Sequence, residues 1–128
     1  MAQSVLIVDD EPNIVLSLEF LMNQAGFDVS VARDGEEALD AVTRHAPDLI
    51  LLDIMIPKRD GYEICKSVRA NPERKDTPII ILTAKGRDTE REIGMAAGAD
   101  DFITKPFSTR DVVERVERLM KSGRITTE

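Results

Sequence analysis

A chain of 128 residues, 42% hydrophobic and 32% charged, is long enough for one domain with its own core. Its formal net charge of −7 argues against nonspecific binding to nucleic acid or to anionic membranes. The N-terminus carries no basic region, no apolar run approaches a membrane span, and the single Cys65 can form no internal disulfide, so a reducing cytoplasm is the expected setting.

In chain order, Val5–Val8 reads as a short strand and is followed by Asp9 and Asp10. A helical stretch comes next, with Ile14, Leu18, Leu21, Met22 and Ala25 on one face and Gly26 where a C-cap belongs. Val29–Val31 lies in "DVSVA", whose alternation marks an edge strand. The second helix presents Ala38, Leu39, Val42 and Ala46, with Asp34 and Glu37 as a capping box and His45 in a favourable dipole position at its end. Leu49–Leu52 is the third strand, and Asp53 follows it. A weaker helix, opened by Asp60, carries Gly61, Ile64, Cys65 and Val68; Pro57 and Gly61 are assigned to turn geometry. Ile79–Leu82 leads to Thr83, and a fourth helix from about Asp88 to Ala97 stops at Gly98. Phe102–Thr104 leads to Lys105. The last helix has Val112, Val113, Val116, Leu119 and Met120 on one face, Ser108 as N-cap and Asp111 at N3. The polar "SGRITTE" at the end reads as fraying or the start of a linker, which sets a domain at 1–121 and a tail at 122–128.

Strand and helix alternate five times, so the expectation is an α/β fold around a five-stranded parallel sheet with five helices. "VLIV", "LILL" and "IIIL" are continuous apolar runs, as central strands covered on both faces require. Asp9, Asp10, Asp53, Thr83 and Lys105 all follow carboxyl ends of strands, and those ends share one edge of a parallel sheet. Three carboxylates brought together repel one another and call for a cation. Oxygen ligands without His or Cys favour Mg²⁺ over zinc.

Each residue alone has a plainer role. An Asp after a strand usually caps a turn, Asp9 and Asp10 can cap the first helix, Thr83 can be a strand-end hydroxyl and Lys105 a surface charge. Together, "VLIVDDE", "LILLDIMIPKRDGYE", "PIIILTA" and "GADDFITKPF" closely resemble the receiver domain of bacterial response regulators in two-component systems, over about residues 4 to 121. The resemblance implies a flavodoxin-like (CheY-like) doubly wound sheet of order 2-1-3-4-5. It makes Asp53 the phosphoacceptor, with Mg²⁺ ligated by Asp10, by Asp9 mainly through water, by Asp53 and by the backbone carbonyl of Met55. Thr83, the backbone at Ala84 and Lys105 would bind the phosphoryl group, and Phe102 stands at the switch aromatic. The Lys105–Pro106 bond would be cis. A sensor histidine kinase or a phosphotransfer protein would donate the phosphoryl group.

Three rivals weigh against this reading. Haloacid-dehalogenase-like phosphatases share the Asp, Mg²⁺, Thr and Lys but want an acid two residues after the nucleophile, where this chain has Met55. A flavin carrier is opposed by Asp-Asp-Glu-Pro in the first turn, which is hostile to phosphate. The third is an interaction module indifferent to phosphorylation. The last stretch also resembles receivers that pair across a twofold axis, which would set Arg91 against Asp111 and Asp101 against Arg115 of a second copy. Asp111 and Arg115 are also spaced to pair within one helix.

Overall fold

The computed structural model describes residues 3–54, 61–83, 88–105 and 107–122. Ten elements alternate: β1 (Ser4–Val8), α1 (Pro12–Gln24), β2 (Asp28–Ala32), α2 (Gly35–His45), β3 (Leu49–Asp53), α3 (Gly61–Ala70), β4 (Ile79–Thr83), α4 (Asp88–Ala96), β5 (Asp101–Thr104) and α5 (Thr109–Ser122). The strands form one parallel sheet of order β2-β1-β3-β4-β5. The expected architecture and strand order are therefore found. Asp53 and Thr83 prove to be the last residues of their strands rather than the first beyond them.

Two half-cores follow from the period of two along each strand. Leu6, Val8, Ile50, Leu52, Ile79, Ile81 and Phe102 pack with Ala38, Val42, Ile64, Cys65, Val68 and Ala97, so α2, α3 and α4 cover that face. Val5, Ile7, Leu49, Leu51, Ile80, Leu82 and Ile103 pack with Leu18, Met22, Val112 and Val116 under α1 and α5. Right-handed crossovers explain the division, because the chain steps one way from β1 to β2 and the opposite way thereafter. Each fully buried Leu, Ile or Val contributes about 1.5–3 kcal/mol, so the three central strands dominate the stability. β2 is only half-buried, as its alternation predicts.

The helix ends show where local chemistry governs. Gly26 and Gly98 take positive φ values of 95° and 109° at the expected stops. Asp34 accepts from the Glu37 amide at 2.8 Å, and Glu37 accepts in return from the Arg33 amide at 3.3 Å, one residue earlier than a standard capping box. Ser108 accepts from the Asp111 amide at 3.4 Å. Ala46 departs from expectation. It is exposed and sits past the end of α2 at φ 45°, not on the buried face. Pro47 follows it and disfavours the right-handed helical region for the residue before, so α2 must stop at His45. Ser122, the last described residue, belongs to α5.

One polar cluster holds β5 in place and was not anticipated. Arg69 on α3 donates to the carbonyls of Gly98 (2.9 Å), Lys75 (3.0 Å) and Thr77 (2.7 Å) and pairs with Asp100 at 2.8 Å. Asp100 also accepts from the Ile79 amide at 2.9 Å. The guanidinium thus ties the α4–β5 connection to the start of β4. Among the described residues, no helix is long and apolar enough to cross a membrane.

Candidate functional site

The strand order reverses between β1 and β3, and there the site lies. Register pairs Val8 with Leu52, so Asp9 and Asp53 are carried to the same level on neighbouring strands. Asp9 and Asp53 are buried, Asp10 is exposed, and one carboxylate oxygen of each lies within 4.8 Å of the other two. A six-coordinate Mg²⁺ at about 2.1 Å from its ligands would keep them within about 4.2 Å of one another. A contraction of about half an ångström would close the set, and the donors are all hard oxygens, so these residues fit such an ion.

Lys105, at the exit of β5, completes the site. Its Nζ lies 3.0 Å from Asp9 Oδ2, 3.1 Å from Asp53 Oδ2 and 3.2 Å from Glu11 Oε1. Its backbone amide donates to the Thr83 carbonyl at 2.6 Å, which continues the β4–β5 ladder and fixes where the side chain starts. Burial raises the Asp9 pKa above the ordinary carboxylate value, and the negative Asp53 adds to this; bonds from the Glu11 amide and Lys105 offset only part. Burial works to lower the Lys105 pKa, but hydrogen bonds and charge from Asp9 and Asp53 outweigh it and raise the value. The ammonium is therefore firmly charged, while Asp9 beside it is incompletely compensated.

Thr83 is fully buried at the end of β4, one residue beyond Leu82, the register partner of Asp53. Phe102 is 4% exposed and opposite Ile81, so Thr83 and Phe102 share one face of the sheet on adjacent strands. The Phe102 ring packs beside Gly94 of α4, where an added Cβ would lie 3.6 Å from it. Met55, Ala84 and Pro106 lie outside the described residues.

Two residues have roles that the sequence did not reveal. Glu11 figures in the sequence only as part of the Asp-Asp-Glu-Pro turn, yet its carboxylate reaches Lys105. The one available signal was its place directly after Asp9 and Asp10. Gly61 was assigned to turn geometry, but a Cβ there would stand 2.5 Å from Ile54 Cα and 3.0 Å from the Asp53 carbonyl oxygen. It permits backbone contact between α3 and the end of β3. Close approach, not a special φ, is what requires the glycine.

Three of the residues expected on a twofold interface, Asp101, Asp111 and Arg115, meet within one chain. Arg115 Nε is 3.0 Å from Asp111 Oδ1 and its Nη1 is 2.6 Å from Asp101 Oδ1. Arg91 belongs to α4, but its side chain lies outside the described residues. A groove of about 530 Å³ lined by Gln3, Phe27, Glu114 and Met120 lies at the opposite end of the sheet and takes no part in this site.

A doubly wound parallel sheet thus gathers an acid cluster, a buried threonine and a lysine at the carboxyl ends of its strands. The model of the response regulator receiver domain matches residues 5–117, and the chain belongs to that family. It is similar to a putative response regulator from Chloroflexus aurantiacus J-10-fl, at 38% identity and a TM-score of 0.91 over 94% of this chain and 99% of that one. The chemotaxis response regulator CheY4 of Vibrio cholerae is 32% identical, with a TM-score of 0.88 over 93% of this chain and 99% of its own. The receiver domain of a sensor histidine kinase from Pseudomonas aeruginosa PAO1, which has magnesium coordinated in its active site cleft, is 30% identical, with a TM-score of 0.87 over 94% and 99%. Family membership sets aside the phosphatase and flavin-carrier readings.

Proposed function

We propose that this receiver domain accepts a phosphoryl group onto Asp53 from a phosphohistidine on a sensor histidine kinase or a phosphotransfer protein. The observation that carries this is the buried Asp53 carboxylate held 3.1 Å from Lys105 at the edge where Asp9 and Asp10 converge. An Asp53 oxygen forms the new bond to phosphorus as the bond to the donor imidazole nitrogen breaks, and that nitrogen keeps the electron pair. A carboxylate is a weak nucleophile, so the domain works by position and charge. Asp9, Asp10, Asp53 and the Met55 carbonyl would hold Mg²⁺, which supplies neutralisation of phosphoryl charge when bound. Lys105 donates to one phosphoryl oxygen and the Thr83 hydroxyl with the Ala84 amide to others. Water later attacks phosphorus as the bond to the Asp53 oxygen breaks, which restores the carboxylate and releases inorganic phosphate.

The same proposal gives the switch a path. A Thr83 drawn toward the phosphoryl group changes the packing on the face it shares with Phe102, and the new charge biases a two-state equilibrium there. Acetyl phosphate or phosphoramidate with Mg²⁺ is expected to add one base-labile phosphoryl group, and Asp53→Asn to lose it. Wild-type labelling of Asp53→Asn would place the nucleophile elsewhere. No labelling of the wild-type chain would favour an interaction module indifferent to phosphorylation.

A further inference from the structure

Glu11 occupies the N-cap of α1, where a side-chain oxygen normally accepts from the first helical amides, yet it makes no such bond. Its own amide instead donates to Asp9 Oδ1 at 3.0 Å, and its carboxylate lies 3.2 Å from Lys105 Nζ. Lys105 has three ammonium protons and three carboxylate partners, Asp9, Glu11 and Asp53. A phosphoryl oxygen can gain a bond from this ammonium only if one partner gives way. Asp9 and Asp53 are buried, while the Glu11 side chain is 60% exposed and can return to water at little cost.

We propose that Glu11 is a positioning residue that holds Lys105 over the acid cluster and yields it to the phosphoryl group. This rests on the phosphoacceptor reading above and deepens it. By holding the ammonium in the resting arrangement, Glu11 opposes the phosphorylated one, and losing it shifts the equilibrium toward phosphoryl binding. The length of the side chain matters as well as its charge, because Glu11→Asp keeps the charge but falls one methylene short of Lys105.

The test is titration of the Mg²⁺-loaded domain with beryllofluoride, an aspartyl-phosphate mimic, followed by amide NMR in wild type, Glu11→Gln and Glu11→Asp. Both variants are expected to bind the mimic about two- to five-fold more tightly, the size set by one partly exposed ion pair. Binding at wild-type affinity in Glu11→Gln would overturn the proposal. So would wild-type affinity in Glu11→Asp with tighter binding in Glu11→Gln, since that pattern means charge repulsion alone. A thermal melt of each variant confirms that α1 is intact, and Asp, a good N-cap, is expected to stabilise it. A wild-type domain that does not bind the mimic would instead refute the phosphoacceptor reading itself, so the two failures are separable.

Discussion

Gly61→Ala sets two physical effects against each other with opposite signs. Helix propensity favours alanine over glycine by about 1 kcal/mol, and Gly61 is the first residue of α3, so propensity alone predicts stabilisation. Packing predicts the reverse. A Cβ at this position would lie 2.5 Å from Ile54 Cα, whereas carbon atoms rest about 3.5–4.0 Å apart. Of the three close atoms, Ile54 Cα and the Asp53 carbonyl oxygen are backbone and only Ile54 Cγ2 is side chain, so side-chain rotation alone does not relieve the overlap. The Gly61 amide also donates to the Ile54 carbonyl at 3.1 Å, which resists separation of the two segments. The end of β3 must therefore move by about 1 Å, at about 1–3 kcal/mol for overpacking. That end is Asp53 itself. A misplacement of about 1 Å can slow chemistry by about 10²-fold, so phosphorylation should suffer more than stability does. Urea denaturation gives the first quantity and the rate of phosphoryl uptake from phosphoramidate the second. A variant more stable than wild type with an unchanged rate would show that the β3–α3 contact does not position Asp53.

Further outcomes are expected elsewhere. Ala46→Gly should stabilise the domain by about 1 kcal/mol in thermal or urea unfolding, because a left-handed conformation is costly for alanine. Arg69→Ala should destabilise it by about 3–5 kcal/mol by leaving the nearly buried Asp100 carboxylate without its guanidinium, and denaturant titration would read this. Asp9 has its folded pKa raised, so the folded state takes up the proton first and stability falls as pH rises from 3.8 through the folded value. Asp9→Asn should therefore be more stable than wild type at pH 7 in EDTA, with the gain shrinking as pH falls toward 3.8; urea titrations at several pH values check it. Phosphorylation-dependent pairing through α4, β5 and α5 would require Arg115 to exchange the Asp101 of its own chain for that of a second copy. Light scattering with beryllofluoride should then show a dimer that Arg115→Asp weakens, and a monomer at high micromolar concentration would count against it.

The sheet was legible because its signals are redundant. Three continuous apolar runs, one alternating edge and paired stop signals each point to the same parallel arrangement, and the two half-cores follow from that arrangement alone. Misreadings arose where one neighbour outweighed the pattern. Ala46 continued the helical period, but Pro47 ended the helix before it. Arg69 carried no visible signal, because its partners are mostly carbonyls supplied by segments from Lys75 to Asp100, and carbonyls have no residue code.

The site divides along the same line. Asp9, Asp10, Asp53, Thr83 and Lys105 could be placed together because topology carries strand ends to one edge, whatever the side chains do there. What topology does not fix is how one ammonium is shared. A lysine that leaves a strand end can reach any acid within the length of its side chain, and here it reaches three. Asp9 and Asp53 were expected neighbours because they end adjacent strands. Glu11 joins them for a different reason. Pro12 opens α1 without an amide proton, and the Asp9 carboxylate accepts from the Glu11 amide, so the loop turns back on itself before the helix begins. That turn directs Glu11 toward β5 rather than along α1. Backbone chemistry at Asp9 and Pro12 thus decides which further charge contacts Lys105, and residue types at strand ends could not have shown it.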